Sequence, residues 1–301
     1  MTRFPRSLVV PALALVAVLT VGALPVLARS GTTMTGDDIS WPQCGGSYPA
    51  GQAFGIVGVN HGLANNLNLC LASELAWAAK STGNGLPTGF PRAALYVNTA
   101  DPGSVVPAVA DWPTSNVDPN GVGEGAGSTN ADPYGPCTPP GSNSPACAWQ
   151  YGWNRAIQDM LWLVLTPTAA GVSDLPSAYW WWLDVETGNT WESGSSGLAN
   201  NVADLAGMVA ALENTSETSP AGVPLGNALA VGIYSTSYQW GQITSSSAVG
   251  YGDLIGLRDW IPGARTLSAA QANCSLRGFT TTAPTITQWF GKPYDGDFVC
   301  P

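Results

Sequence analysis

Hydrophobic positions along the chain fall into short apolar runs that alternate with longer stretches of helical periodicity. Apolar runs without strict alternation predict strands that are buried on both faces, as in a parallel sheet. Alternation of strands and helices over most of the chain predicts an α/β fold, specifically a single irregular TIM-like (β/α) barrel. The predicted strands are residues 54–59, 93–97, 179–185, 229–234, 254–260 and 285–290, and the predicted helices are 71–80, 149–165, 198–212 and 268–274.

Residues 99–147 interrupt this alternation with a long Gly/Pro-rich insertion that has no hydrophobic period. Such a long irregular stretch is unusual inside a compact domain and is often functional. Because it follows a strand, we expect it on the face that carries the C-terminal ends of the strands, where it would wall one side of a groove. The alternative is an insertion without a role of its own, since surface loops tolerate added residues well.

Residues 1–28 have the features of an export signal. Arg3 and Arg6 form a short basic start, residues 8–24 are almost wholly apolar, and residues 26–28 (VLA) form a small-residue cleavage pattern. An uncleaved membrane anchor is the alternative, because the apolar stretch is just long enough to span a bilayer. Cleavage would leave residues 29–301 as the barrel domain. We therefore expect a secreted, extracellular monomer that has no membrane contact after cleavage.

The charge balance narrows the possible partners. The 301 residues include 20 Asp plus Glu and 10 Lys plus Arg, for a formal net charge of −10. So few cations cannot neutralise a run of phosphates, which argues against a nucleic-acid partner. Charged residues make up 10% of the chain and hydrophobic residues 45%, with 36 Gly and 24 Pro. This composition indicates a folded, loop-rich protein and excludes wholesale disorder.

Six cysteines in an exported chain predict three disulfides. Many pairings are possible, and we favour the pairing of neighbours along the chain. The alternative is a metal site, but the sequence has no Cys-x-x-Cys, and its single histidine, His61, has no His partner. We therefore expect no metal and no cofactor. The favoured disulfides are Cys44–Cys70, Cys137–Cys147 and Cys274–Cys300.

The strongest chemical signal is residues 180–186 (WWWLDVE). Successive strand residues face opposite sides, so Asp184 and Glu186 should share one face. Two acids at the end of a buried strand repel each other and lose solvation, so at least one pKa should be raised, as a general acid requires. Acids at a strand end can also cap the next helix, and that interpretation remains open for an isolated Asp-x-Glu.

Further acids are predicted close to this pair. Asp38 lies where a first strand should end, and Asp295 and Asp297 follow the last predicted strand. If the barrel closes, its first and last strands are neighbours, and these carboxylates collect at one mouth. Asp295-Gly296-Asp297 alone is a weak signal, because it is also ordinary turn chemistry.

These motifs occur in a defined order along the chain. The order is Asp38, Ser40 and Gln43, then residues 182–186 (WLDVE), residues 232–235 (GIYS) with Trp240, Gln288-Trp289, and residues 295–297 (DGD). This order resembles the glycoside hydrolase family 25 lysozymes, and the likeness covers most of residues 36–300. The resemblance implies an irregular β/α barrel that cleaves peptidoglycan between its amino sugars.

The resemblance also implies roles for the acids. Glu186 matches the proton donor of that family, and Asp184 matches the partner acid that stabilises the charged intermediate or positions the acetamido group. Asp38 matches the acid that ends the first strand. Asp295 is our choice for the acid near the C-terminus, with Asp297 as the alternative. Glycosidic cleavage needs one protonated carboxyl and one charged group, without metal or cofactor.

Aromatic and polar side chains near the acids are expected to contact the sugar. Aromatic faces stack on sugar rings, although large aromatic residues more often pack the core. A histidine in a turn is equally explained by hydrogen bonds to the backbone. The predicted substrate contacts are Trp41, His61, Tyr234, Gln288, Trp289 and Asp297, with Trp182 and Trp240 as further stacking candidates.

The sequence thus predicts an exported glycosidase of the muramidase kind, acting on β-1,4 bonds of peptidoglycan or a related polysaccharide. The alternative is a non-catalytic protein that binds cell-wall glycan on the same barrel. Two departures motivate it: residues 60–62 (NHG), where the family usually has Glu-Gly, and the insertion. A Ser/His/Asp triad is disfavoured, because no Gly-x-Ser-x-Gly motif accompanies the single histidine.

Overall fold

Strands and helices alternate through the computed structural model, which describes residues 34–104, 112–113, 132–245 and 254–301. The strands are β1 (Thr35–Ile39), β2 (Gly55–Gly58), β3 (Ala93–Asn98), β4 (Trp180–Asp184), β5 (Ala230–Tyr234), β6 (Arg258–Ala264), β7 (Pro284–Trp289) and β8 (Asp295–Val299). The helices are α1 (Leu71–Ala78), α2 (Pro145–Leu165), α3 (Gly194–Asn214), α4 (Ser237–Thr244) and α5 (Leu267–Asn273).

The strands close into a barrel in chain order, and one of them reverses direction. Consecutive strands from β1 to β7 are parallel, whereas β8 runs antiparallel to both β7 and β1. In the closing pair, Asp38 of β1 lies opposite Asp295 of β8. The fold is therefore the single irregular α/β barrel that the sequence predicts.

Strand β4 shows how the sequence fills both faces of the barrel wall. Trp180 and Trp182 point inward, into a core that includes Phe54 and Phe90. Trp181 belongs to the second core, between the barrel and its helices. Because alternate residues face opposite sides, a continuous apolar run serves two cores at once.

Three disulfides join neighbouring cysteines, as predicted. Cys44–Cys70 ties the loop after β1 to the start of α1, and Cys274–Cys300 ties the end of α5 to the end of β8. Cys137–Cys147 ties the end of the insertion to the first turn of α2.

The prediction of a strand over residues 254–260 is wrong in its bounds. Strand β6 starts at Arg258 and continues through Pro262-Gly263 to Ala264. The register between β6 and β7 shifts between Ile261 and Ala264, and such an irregularity accommodates a proline that cannot donate to the ladder.

The last strand was not predicted, because residues 295–297 have the composition of a turn. Instead these residues open β8, where Gly296 lies opposite Trp289 of β7. A Cβ at Gly296 would lie 2.0 Å from the Trp289 ring, so glycine is needed for this close approach.

The four predicted helices are present: α1 begins at its predicted residue, whereas α2, α3 and α5 begin before their predicted starts. Helix α2 begins at Pro145, where the Ser144 side chain accepts a hydrogen bond from the Cys147 N–H, so the insertion ends earlier than predicted. Helix α4 was not predicted.

The groove wall proposed for the insertion falls mainly on residues 105–111 and 114–131. These residues and the export signal lie outside the described residues. Among the described residues, no helix has the length and apolarity that crossing a bilayer requires.

Candidate active site

A cavity of about 150 Å³ lies at the end of the barrel where the parallel strands finish. This is the end at which TIM-like barrels place their active sites. Carboxyl, amide and phenol groups line the cavity, together with one indole ring. The lining residues are Asp38, Tyr96, Asp184, Glu186, Tyr234, Trp260, Gln288 and Asp295.

The barrel brings together the four acids that the sequence predicts as catalytic. Asp184 is the last residue of β4, and Glu186 follows two residues later on the same side. Asp38 comes from the end of β1. Asp295 begins β8, and because β8 runs antiparallel, its first residue reaches the mouth where the parallel strands end. All four therefore line one cavity.

Asp38 is held by a chain of hydrogen bonds across the cavity wall. The Gln288 Nε2–H donates to Asp38 Oδ2 at 2.9 Å, and the Tyr234 hydroxyl donates to Gln288 Oε1 at 3.0 Å. Because the amide oxygen of Gln288 is occupied by a donor, its nitrogen is oriented towards the carboxyl. Tyr234 and Gln288, both predicted to contact substrate, thus line the cavity and also orient an acid.

Glu186 is held from the other side of the mouth by a residue that sequence reasoning missed. The Gln239 Nε2–H donates to Glu186 Oε1 at 3.3 Å. Gln239 Oε1 in turn accepts from the backbone N–H of Thr187 at 2.7 Å. Gln239 sits in the first turn of α4, directly after β5, so a helix placed after that strand would have put it near the site.

Burial and mutual repulsion hold protons in the cavity. Burial, followed by the charges of Glu186 and Asp38, raises the pKa of Asp184 well above its usual value. Burial, followed by the charge of Asp295, raises the pKa of Asp38 to about 7, although the hydrogen bond from Gln288 opposes this. The carboxyls therefore cannot all be ionised together near neutral pH. This agrees with the expectation that the Asp184–Glu186 pair contains an acid of raised pKa.

Trp41 and His61 lie in the loops that follow β1 and β2, beside the mouth and not on the cavity wall. Their ring centroids are 4.1 Å apart, and Trp41 is 39% exposed. The Cys44–Cys70 disulfide anchors the loop of Trp41 to α1. The two rings form a partly exposed platform at the rim.

Other predicted contacts do not reach the cavity surface. Trp182 is fully buried inside the barrel, and Trp240 is fully buried against Phe279. Trp289 neighbours the inward-facing Gln288 along β7 and therefore points to the opposite face. Asp297 is 0% exposed and does not line the cavity, so the structure corrects its assignment as a substrate contact.

No protein-family model matches the chain, and no curated protein matches it. Solved structures similar to it include GHIP of Streptococcus pneumoniae, a glycosyl hydrolase 25 and virulence factor that participates in host cell invasion. That match has 13% identity over 89% of this chain and 87% of GHIP, with a TM-score of 0.41. Another is the modular Cpl-1 endolysin complexed with a peptidoglycan analogue, at 13% identity over 89% of this chain and 54% of that one, with a TM-score of 0.40. We draw no functional conclusion from likenesses this distant.

Two further lining residues escaped sequence reasoning. Tyr96 faces the cavity from β3, with its ring centroid 6.3 Å from that of Trp260. Its inward direction follows from the alternation along β3, once the inner face of that strand is known. Trp260 was expected to end its strand and lies inside β6 instead.

Asn60, one of the residues that motivate the glycan-binding alternative, is not part of the cavity lining. It is fully buried between the ends of β2 and β3. Its Nδ2–H donates to the Asn98 carbonyl at 3.0 Å, and its Oδ1 accepts from the Asn98 N–H at 2.8 Å. Asn60 therefore joins two strands, which accounts for an amide there. Among the described residues, no group of three or more His, Cys, Asp and Glu side chains is arranged to hold a metal ion.

Proposed function

We propose that this chain is an exported glycoside hydrolase that cleaves β-1,4 bonds of peptidoglycan or a closely related polysaccharide. The observation that supports this proposal most directly is the convergence of Asp38, Asp184, Glu186 and Asp295 on one cavity at the mouth of the barrel. Acid-catalysed cleavage of a glycosidic bond needs paired carboxyls in different protonation states, and the raised pKa values of Asp184 and Asp38 keep protons within this cluster near neutral pH.

Glu186 is best placed to donate the proton. It is the less buried member of the Asp184–Glu186 pair, and Gln239 holds its carboxyl at the rim. Its proton would pass to the glycosidic oxygen as the bond from that oxygen to the anomeric carbon breaks. A water molecule then adds to the anomeric carbon and gives up its proton to a carboxylate, which balances the hydrolysis.

Asp184 and Asp38 would stabilise the positive charge that develops on the sugar ring. Burial makes their ionised forms costly. A cation forming beside them relieves that cost, so the interaction is stronger in the transition state than in the ground state. Asp295, at the opposite edge of the same wall, adds to the negative potential.

The aromatic platform of Trp41 and His61 would bind a sugar next to the one being cleaved. A partly exposed indole whose neighbours are polar gives a flat apolar surface for the hydrophobic face of a pyranose. A polymeric glycan crossing the mouth can reach both this platform and the cavity. On this proposal Trp41 contributes binding and no chemistry.

Replacing Trp41 with Ala is expected to raise KM for solubilised peptidoglycan roughly fivefold to tenfold, since loss of about 1 kcal/mol of stacking changes affinity by that order. The value of kcat should change less than about threefold. Leu165→Ala is a matched control, because Leu165 is 64% exposed at the end of α2 away from the mouth. An unchanged KM in the Trp41 variant would refute the platform.

The proposed activity is tested by incubating the purified protein with purified bacterial peptidoglycan. Soluble fragments and new reducing ends are measured over time, and mass spectrometry identifies the sugar at each new end. We expect fragments that end in N-acetylmuramic acid, the product of a muramidase. Sedimentation with the wall without release of fragments would overturn the hydrolase proposal and favour the glycan-binding alternative.

A further inference from the structure

Asp297 is a buried acid that the proposed reaction does not use. It lies on β8 facing the barrel interior, opposite Gln288 of β7 and Gly36 of β1 in the strand registers. Its side chain is 0% exposed and does not line the cavity. An ionised carboxylate in such a place needs several donors to offset its lost hydration.

The contacts of Asp297 fit a protonated carboxyl better than an ionised one. Trp260 Nε1–H donates to Asp297 Oδ1 at 2.9 Å. The second oxygen, Oδ2, is buried and accepts no hydrogen bond from the described residues. Asp38 is the neighbour of Asp297 on the inner face of the barrel, because Gln288, the register partner of Asp297, donates to Asp38 Oδ2 at 2.9 Å. A hydrogen bond between the two carboxyl groups is among the causes that shift both pKa values. Two carboxylates can form that bond only when one of them carries a proton.

The direction of donation follows from the surroundings of the two acids. Burial, followed by the negative charge of Asp38, raises the pKa of Asp297 well above its usual value, and the more distant Asp37 adds to this effect. Asp38 has a second donor, Gln288 Nε2, and faces the polar cavity. The proton therefore belongs on Asp297 and the charge on Asp38.

We propose that Asp297 is a positioning residue that retains its own proton and donates it in a hydrogen bond to Asp38, so that Asp38 faces the cavity as an oriented carboxylate. This inference rests on the proposed function. Asp38 can present a negative charge to the sugar only while Asp297 keeps its own proton. Donation from both Asp297 and Gln288 fixes the Asp38 carboxyl at two points, and Trp260 fixes Asp297 in turn.

The proposal is tested by Asp297→Asn and Asp297→Leu, which have nearly the same shape. An asparagine can still donate to Asp38 but cannot titrate, whereas leucine can do neither. The ¹³C carboxyl resonances of Asp38 and Asp297 are followed by NMR from pH 4 to pH 9 without substrate. Wild-type Asp297 should remain protonated over that range. In the Asn variant, the titration midpoint of Asp38 should stay within about half a pH unit of the wild-type value. In the Leu variant it should rise by about one pH unit, which is a tenfold change in the ionisation equilibrium of Asp38.

Two results would overturn the proposal: an ionised Asp297 between pH 5 and pH 8, or an Asp38 midpoint that is the same in the Leu variant as in the wild type. If the Leu variant fails to fold, the Asn variant still decides, because removal of a negative charge from an ionised Asp297 would lower the Asp38 midpoint. The acid limb of kcat/KM on peptidoglycan should follow the Asp38 midpoint in each variant. The NMR measurement needs no turnover. If the wild type released no fragments from peptidoglycan, the proposed hydrolase activity would be contradicted, but the NMR titration would still show whether Asp297 carries the proton.

Discussion

Glu186→Gln is expected to lower the rate of reducing-end release from peptidoglycan by about 10²–10⁴-fold, the usual contribution of a positioned general acid. Glutamine keeps the size of the side chain and can still contact Gln239, but it cannot give a proton to the leaving oxygen. The variant should retain the wild-type melting temperature and still sediment with the wall, because the change removes chemistry and leaves the binding surface intact. The measurements are initial rates, thermal denaturation and sedimentation.

Glu213→Gln is the matched control for this variant. It removes the same charge from an exposed position at the C-terminal end of α3, away from the mouth. Its rate should equal that of the wild type within experimental error. Should Glu186→Gln retain full activity, the proton donor must be another group, and the assignment of the Asp184–Glu186 pair falls with it.

Gly152→Ala is expected to destabilise the fold by roughly 2–3 kcal/mol, which corresponds to a fall in Tm of about 5–10 °C. Helices α2 and α3 approach closely at Gly152 and Gly207. A Cβ at Gly152 would lie 1.9 Å from the backbone oxygen of Asp204, and a Cβ at Gly207 would lie 2.0 Å from that of Trp149. Backbone atoms cannot move aside as a flexible side chain can, so the helices must separate and their shared core must loosen.

The sign of this effect distinguishes packing from helix propensity. Alanine in an open helix position would stabilise the protein by about 1 kcal/mol relative to glycine. Gly188→Ala is the control, since a Cβ there meets no atom within 4 Å and the backbone needs no positive φ. Thermal or urea denaturation should show a large loss for Gly152→Ala and little change for Gly188→Ala. A stabilised Gly152 variant would show that the helices tolerate a wider separation.

Local chemistry made part of the site predictable. Asp184 and Glu186 share a face because backbone sterics impose a two-residue period on any strand, and that period is visible in the sequence. The strand–helix alternation likewise predicted the barrel, and closure predicted that Asp38 and Asp295 would be neighbours. Pairing of neighbouring cysteines was favoured among many open alternatives, and the structure contains those pairs.

The pattern of residues along the chain did not predict strand β8 or its antiparallel direction. Asp295-Gly296-Asp297 has the composition of a turn, but in the structure it begins a strand in which Gly296 fits beneath Trp289. That reversed strand brings Asp295 to the mouth and places Asp297 in the interior. Two acids separated by one residue therefore have different surroundings, one on the cavity wall and one fully buried.

The partners of the acids were decided by the tertiary structure alone. Gln239 reaches Glu186 from a helix more than fifty residues away, and Gln288 reaches Asp38 from 250 residues away. The sequence by itself determined the fold class, the shared face of the Asp184–Glu186 pair and the acidity of the chain. The register between strands, the reversal of β8 and the resulting hydrogen bonds depend on how the whole core packs, and packing energy is a property of many distant residues together.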